Sequence, residues 1–402
     1  MSKADSLSQV IDFVRAARAD KAAFEIVAGG TRRGVGRPLN DLPPLDVSGL
    51  SGILKYEPEE LILTAAPATP LTEINAVLAE KNQRLGFDPA DWSKLLKSNG
   101  VATLAGAASC DASGSGKLRH GGARDSLLGF QAVNGLGESF RGGSKVVKNV
   151  TGFDLPKLVC GAYGTLSVLT EMTFRVYPRP QHAAILCLAD VTPEDGFAAL
   201  RKIAHSALEP AGLAYLSAGM MAGVGQGAAL IKLEGARQPL EEKIVLAHGL
   251  LGNAVRRVED DPFPAIGSGE KFSDLAGDVW RVMIAPSDAP HVAKELNAQY
   301  WLGDWAGGVI WLAAAPAEAA RIRRLAADVN GQAMLLRASP ESRTLHGLYA
   351  PQPPALAALN RAVKAAFDPL SLFNPGRLKC RGSEVRLISI SGPPRTSEPE
   401  RH

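Results

Sequence analysis

A chain of 402 residues with 46% apolar side chains can bury a large core, and its length favours two domains over one. Lys and Arg number 44 against 41 Asp and Glu, and the resulting formal charge of +3 is too small and dispersed to call for a nucleic-acid or anionic-membrane partner. The cysteines, Cys110, Cys160, Cys187 and Cys380, form no CxxC pair and no Cys/His cluster at metal-ligand spacing, so neither an iron–sulfur cluster nor any other metal site is expected.

The start of the chain lacks a basic stretch followed by an apolar run, and no segment reaches the roughly 20 apolar residues that cross a bilayer. A cytoplasmic protein with reduced thiols is expected. Val10, Phe13, Val14 and Ala17 recur at helical spacing and predict a first amphipathic helix. The short strand pattern Phe24–Ala28 then runs directly into the glycine-rich stretch Gly29–Gly36. Leu61–Ala65 reads as a second strand. The helix after it has Thr69 as expected N-cap, Pro70 at the first helical position, and Leu71, Ile74 and Leu78 on one face.

From about Val101 to Arg124 the chain is rich in Gly, Ala and Ser, a composition that packs no large core of its own and suits backbone lying against a ligand. Short strand patterns with Gly152, Gly161 and Gly164 follow, up to the prolines at Pro178 and Pro180, which mark an expected domain boundary. The next stretch alternates helical runs such as Pro316–Asp328 with strand-like ones such as Gly308–Ala313. Leu356, Leu359, Val363 and Phe367 make a last helical stripe that stops at Pro369, before Phe373-Asn-Pro-Gly-Arg-Leu378. The residues after Arg381 have almost nothing to bury and are expected to be disordered.

A strand that feeds Ala28-Gly29-Gly30-Thr31-Arg32 can aim successive backbone N–H groups into one concavity that holds a pyrophosphate, with Arg32, Arg33 and Arg37 adding charge. A plain tight turn with solvated arginines carries the same pattern. The two best-known phosphate loops are excluded. Gly116-Lys117 is followed by Leu118, with Asp111 where a P-loop needs glycine, and Gly34-Val35-Gly36 continues as Arg37-Pro38-Leu39, so no G-x-G-x-x-G occurs.

Thr103-Leu-Ala-Gly-Ala107, Ala112-Ser-Gly114, Arg119-His-Gly121 and Arg124-Asp125 together resemble the second FAD-binding stretch of the vanillyl-alcohol-oxidase superfamily. The 28–32 loop fits the first such stretch. Gly164-Thr-Leu-Ser-Val-Leu-Thr-Glu171 resembles the block that closes the FAD domain, with Ser167 in place of glycine. The run Phe140–Asp154, with Lys148-Asn-Val-Thr-Gly-Phe-Asp154 at its end, is similar to the E subunit of glycolate oxidase, as are Arg124–Gly129 and Phe373–Leu378.

This resemblance implies an α+β fold: a two-subdomain PCMH-type FAD-binding domain over 1–179, an α+β cap over 180–350, and a segment, 351–380, returning to the FAD domain before the tail 381–402. It implies FAD contacts from Ala28, Gly29, Gly30, Thr31 and Arg32; from Thr103, Leu104, Gly106, Ala107, Ser113, Gly114, Arg119, Gly121 and Arg124; and from Gly164, Thr165 and Val168. Relatives with covalent flavin place His where Thr31 stands, so non-covalent FAD is expected. Cys110 is read as a buried structural thiol without chemistry.

The closely spaced histidine-rich metal motif of catalytic 2-hydroxy-acid-oxidising relatives, and their substrate-binding arginines in the cap and C-terminal region, have no match, and the seven histidines are scattered. His120 alone lies in an FAD-contacting stretch and is the one candidate for a catalytic role, with packing beside the flavin as the alternative. The family further implies a D-type flavoprotein partner and an iron–sulfur subunit, glycolate as a 2-hydroxy-acid substrate, and a cytoplasmic location, or one peripheral to the inner membrane through the complex. A stand-alone dehydrogenase of the same superfamily and a structural subunit with little FAD affinity are the alternatives. Ala105 and Ser167, standing where relatives often use glycine, keep the latter open.

Overall fold

The amphipathic stripe near the start forms the helix Leu7–Ala19, capped by the Ser6 hydroxyl, which accepts from the Gln9 N–H. Val10, Val14 and Ala17 are buried and Phe13 is half-buried. The computed structural model describes residues 2–39, 41–144, 153–221 and 223–378. The stretch 145–152 of the family-matching run, Cys380 and the expected tail from Arg381 therefore lie outside the described residues.

Among the described residues, three sheets organise the fold. The first is parallel and three-stranded, with Pro44–Asp46 between Ser2–Lys3 and Glu25–Val27. The second is antiparallel and built on the long strand Val168–Pro178, which pairs with Ile62–Ala65 on one side, with Leu127–Val133 on the other, and at its end with Gln83–Leu85. Ile53–Glu57 and Ser139–Gly143 form its edges.

The third sheet has eight antiparallel strands, all between residues 182 and 337. The strand period of two divides its residues between two cores. Leu186, Trp280 and Val282 face the helices Pro193–Ala204, Arg237–Leu251, Ala289–Leu296 and Ala319–Asp328. Ile185, Cys187, Val279, Trp311 and Met334 face the first lobe and pack with Val35, Trp92, Ala112 and Tyr163. Burial on both faces explains why these strands read as nearly continuous apolar runs.

Some local expectations are corrected. Thr69 is not the N-cap of Leu71–Glu80. Its hydroxyl donates to the Ala66 carbonyl at 2.7 Å and ties to Gly52, so Pro70 holds the cap position without a side-chain bond. In line with its composition, the 101–124 stretch builds no core of its own, and Leu104, Ala107, Ala108, Ala112 and Ala123 are buried in cores shared with other segments. The last stripe forms the helix Pro354–Phe367, yet Leu356 and Leu359 are 45% and 60% exposed, because only the turn after the helix docks inward.

The two lobes are latched at Asp304, at the end of the strand Trp301–Asp304. Its carboxylate accepts from the Ser115 hydroxyl at 2.8 Å and from the Trp305 N–H at 2.8 Å, while Trp305 Nε1 donates to the Gly114 carbonyl at 3.1 Å. Burial pushes the Asp304 carboxyl up to about 6, against the stabilising pull of Ser115, the Trp305 N–H and Arg281. A carboxyl whose folded value lies above its unfolded one stabilises the fold while protonated and loses that contribution as pH rises from about 4 through 6. Asp304→Asn removes this dependence. The unfolding free energy of the wild type relative to the variant, read from urea titrations, is expected to fall by on the order of 3 kcal/mol between pH 4 and pH 7, and parallel stability curves would refute it.

Candidate functional site

The strand Glu25–Val27 ends in a loop that cannot be built from ordinary residues. Gly29 is pressed onto the neighbouring backbone, so that a Cβ there would lie 1.7 Å from the Val101 carbonyl oxygen, which belongs to a segment that also donates its N–H to Gly29. Gly30 has φ +76°, and a Cβ on it would meet open space. That space belongs to a cleft open to solvent. Its opposite wall comes from the helix Leu104–Ser109, where the Thr103 hydroxyl accepts from the Gly106 N–H at 3.3 Å, and from the Tyr163–Gly164 turn.

The C-terminal segment clamps these walls together. Asn374 Oδ1 accepts from the Ile26 N–H at 2.9 Å, and its Nδ2 donates to the Tyr163 carbonyl at 2.9 Å and the Gly164 carbonyl at 3.3 Å. Beneath the loop the buried Glu25 carboxylate accepts from Arg33 at 2.6 Å and from Arg377, which also donates to the Val35 carbonyl.

Arg32 is the electrostatic feature of the cleft. Its guanidinium stacks over Trp92 at 4.4 Å, and Nη2 donates to the Ala90 carbonyl at 2.6 Å, whereas the buried Nε and Nη1 have no partner. Burial works against its charge. Cys110 also lines the cleft, but burial raises its thiol pKa and keeps it protonated.

The structure brings some of the expected site residues to the cleft and leaves others elsewhere. Ala28, Gly29, Gly30, Thr31 and Arg32 all line it, together with Thr103, Gly106 and Gly164. Leu104 and Ala107 point into the core behind the wall, and Val168 into the core shared with the first helix. The Thr165 hydroxyl is taken by the Ala162 carbonyl.

Ser113 is buried with an unpartnered hydroxyl, Gly114 serves the interlobe latch, and Gly121, at φ +76°, turns against the Asp125 carboxylate. Arg119 pairs across the lobes with Glu209 at 2.8 Å, and Arg124 is exposed. His120 lines a separate groove, where its Nε2 lies 2.9 Å from Arg84, which is itself paired with Glu234. Burial and the Arg84 charge lower its pKa.

Glu25, Pro67, Ser109, Tyr163, Asn374 and Arg377 line the cleft without having been expected there. The Asn-Pro-Gly-Arg run was visible as a motif, but nothing in it shows that its Asn spans two loops. Ala105 and Ser167 also line the cleft, and both are small.

Residues 2–143 match the family described as FAD binding domain. The fold is similar to that of p-cresol methylhydroxylase with substrate bound, at TM-score 0.66 and 16% identity, covering 94% of this chain and 88% of that one. The class is therefore an FAD-dependent oxidoreductase of the PCMH-type α+β fold. Within it, the chain is 30% identical over 383 residues to glycolate oxidase subunit GlcE of Escherichia coli, covering 94% of this chain and 99% of that protein, and it belongs to that subunit's family. A shorter stretch of 132 residues, 33% of this chain and 27% of the relative, is 30% identical to glycolate oxidase subunit GlcD of Bacillus subtilis.

The residues present fit FAD. A buried guanidinium with two unpartnered nitrogens calls for an anion, which a pyrophosphate would supply, and Gly30, on which a Cβ would meet only open space, leaves room for a close approach. Arg32→Met separates two effects. It relieves an uncompensated charge, so the FAD-free protein is expected to melt no lower than wild type, while FAD binds roughly tenfold to a hundredfold more weakly, the value of a charged hydrogen bond. Differential scanning and a fluorescence titration with FAD read both. Asn374→Ala leaves the Ile26 N–H and the Tyr163 carbonyl unpaired and is expected to cost about 2–4 kcal/mol in urea unfolding.

Proposed function

We propose that this chain is the FAD-binding E-type subunit of a glycolate oxidase assembly, taking part in the oxidation of glycolate to glyoxylate and passing the electrons on to a D-type flavoprotein and an iron–sulfur subunit. The observation that carries the proposal is the end-to-end likeness to the Escherichia coli subunit, over 94% of this chain and 99% of that one.

When bound, FAD supplies the acceptance of two electrons from the substrate and their release singly to a partner. The chain's own residues hold and enclose. Arg32 would take the pyrophosphate, with Trp92 at its back excluding water, and the backbone of Gly29–Thr31 and the Thr103 turn would line the cofactor. Thr31 stands where a covalent link would need His, so the association is non-covalent.

Asn374 sets the spacing of the two walls, and the Ser115–Asp304 bond closes the cap over the first lobe. Among the described residues, Glu25 is held between two arginines and His120 serves Arg84 in the other groove, so neither is a free general base in the cleft. No helix among the described residues is long and apolar enough to cross a membrane, and attachment to the inner membrane would come through the assembly.

The test is reconstitution. The chain is purified alone and with a D-type subunit, followed by absorption spectra and glycolate-dependent dye reduction. Non-covalent flavin on this chain and dye reduction only by the mixture support the proposal. Full turnover by the chain alone would make it a stand-alone dehydrogenase, and a colourless chain that cannot be loaded with FAD would reduce it to a structural subunit.

A further inference from the structure

Besides the Asp304 latch, charged pairs hold the cap to the first lobe. Arg119, on the short helix Lys117–His120, meets Glu209 of the cap at 2.8 Å. Arg84, on the strand Gln83–Leu85, forks onto the buried Glu234 of the cap strand Gly227–Gly235, with contacts of 3.1 and 2.7 Å. The same Nη2 that meets Glu234 lies 2.9 Å from Nε2 of His120. A guanidinium stays protonated and can only donate, so Nε2 must accept, and the ring carries its proton on Nδ1. Arg84 thereby directs one N–H of Nη2 at the cap and the other at His120. A proton added to Nε2 removes the acceptor and sets two cations against each other across 2.9 Å.

The neighbours give an imidazolium little in return. Glu234 already has Arg84 on both oxygens and Lys232 at 3.8 Å, and Lys232 is paired with Asp261 at 2.6 Å. Lys243, from the helix behind that strand, adds a cation by donating to the Glu234 carbonyl at 3.3 Å. On the long strand of the first lobe the Tyr177 ring lies 5.3 Å from His120, with Arg175 over it. Asp88 and Arg179 line the same groove, and Asp88 accepts from the Gly116 N–H at 3.2 Å. Burial first, and the Arg84 charge second, lower the pKa of His120. A histidine lowered in the folded state contributes its full share above its ordinary value of about 6.5 and loses it as pH falls below that.

Loosening this contact bears on the cofactor. Cys110 and Tyr163 line the FAD cleft, and both pack in the core that the first lobe shares with the cap sheet. We propose that His120 is a proton-operated pin on the seam between the FAD-binding lobe and the cap: neutral, it holds Arg84 onto Glu234; charged, it leaves Arg84, loosens the cap and speeds release of FAD. The pin rests on the FAD-binding fold and not on the identity of the substrate.

The test uses the full-length, FAD-loaded chain at pH 5.5 and 7.5. Hydrogen–deuterium exchange, corrected for intrinsic rates, reads the segments 117–120 and 227–235, and the gain in flavin fluorescence on dissociation reads FAD release. His120→Gln keeps an acceptor for Arg84 that does not titrate. Asp304 changes charge in the same pH range, but it does so in both proteins and drops out of their ratio. On acidification, wild type is expected to exchange at the seam and to release FAD faster than His120→Gln by roughly threefold or more, with the two alike at pH 7.5. His120→Phe keeps a ring against Tyr177, neither accepts nor titrates, and is expected to show the same loss of acid sensitivity, so the test survives if the Gln variant does not fold. Wild type and variant running parallel in both readouts would overturn the pin. Acid-sensitive exchange at the seam with FAD release that matches the variants would overturn its link to the cofactor.

Discussion

The buried Glu25 carboxylate, held between Arg33 and Arg377, is the constraint on which the rest of the site depends. A carboxylate with 2% of its surface exposed is tolerable only with charged donors on its oxygens. Those donors come from the glycine loop and from a segment about 350 residues later in the chain. Asn374, three residues before Arg377, extends the same clamp to the Tyr163–Gly164 turn. The loop that would carry a pyrophosphate and the wall opposite it are thereby held from one place. The segment that does so is itself anchored by Asp368, which is fully buried and accepts from the Leu372 and Phe373 N–H groups.

With the walls set, charge decides what can enter. Arg32 and Arg281 lie on different lobes, both buried, both against tryptophan rings, and both short of hydrogen-bond acceptors. Burial works against both charges, and at Arg32, which lines the cleft, an anion would offset that cost. The interlobe contacts at Asp304 and Arg84 keep the two cations on a shared boundary. His120 belongs to that boundary and not to the cofactor cleft.

Much of the architecture could be read from local pattern. The period of the first helix, the strand feeding Gly29 and Gly30, and the absence of the common nucleotide loops all follow from residue spacing, and three ordered blocks pointed to an FAD-binding oxidoreductase related to the glycolate oxidase E subunit. Local pattern failed where one residue had two competing partners. Thr69 has the chemistry of an N-cap, but its hydroxyl is drawn to Gly52 and Ala66 in the adjoining turn. The stripe of Leu356 and Leu359 has the period of a packed face, yet the helix carrying it lies on the surface.

By itself the sequence determined the position of the glycine loop, because that depends on spacings that neighbouring residues impose on one another, and its resemblance to a known family implied the class of fold and the cofactor. Only the tertiary structure decided which side chains meet in the cleft. Leu104 and Gly106 are two positions apart on one short helix, and one faces the core while the other faces the cavity. Tyr163, Arg281 and Tyr349 come from three distant parts of the chain. Their convergence is set by long-range packing between two lobes, and the energy of a buried charge depends on neighbours that no local spacing reveals.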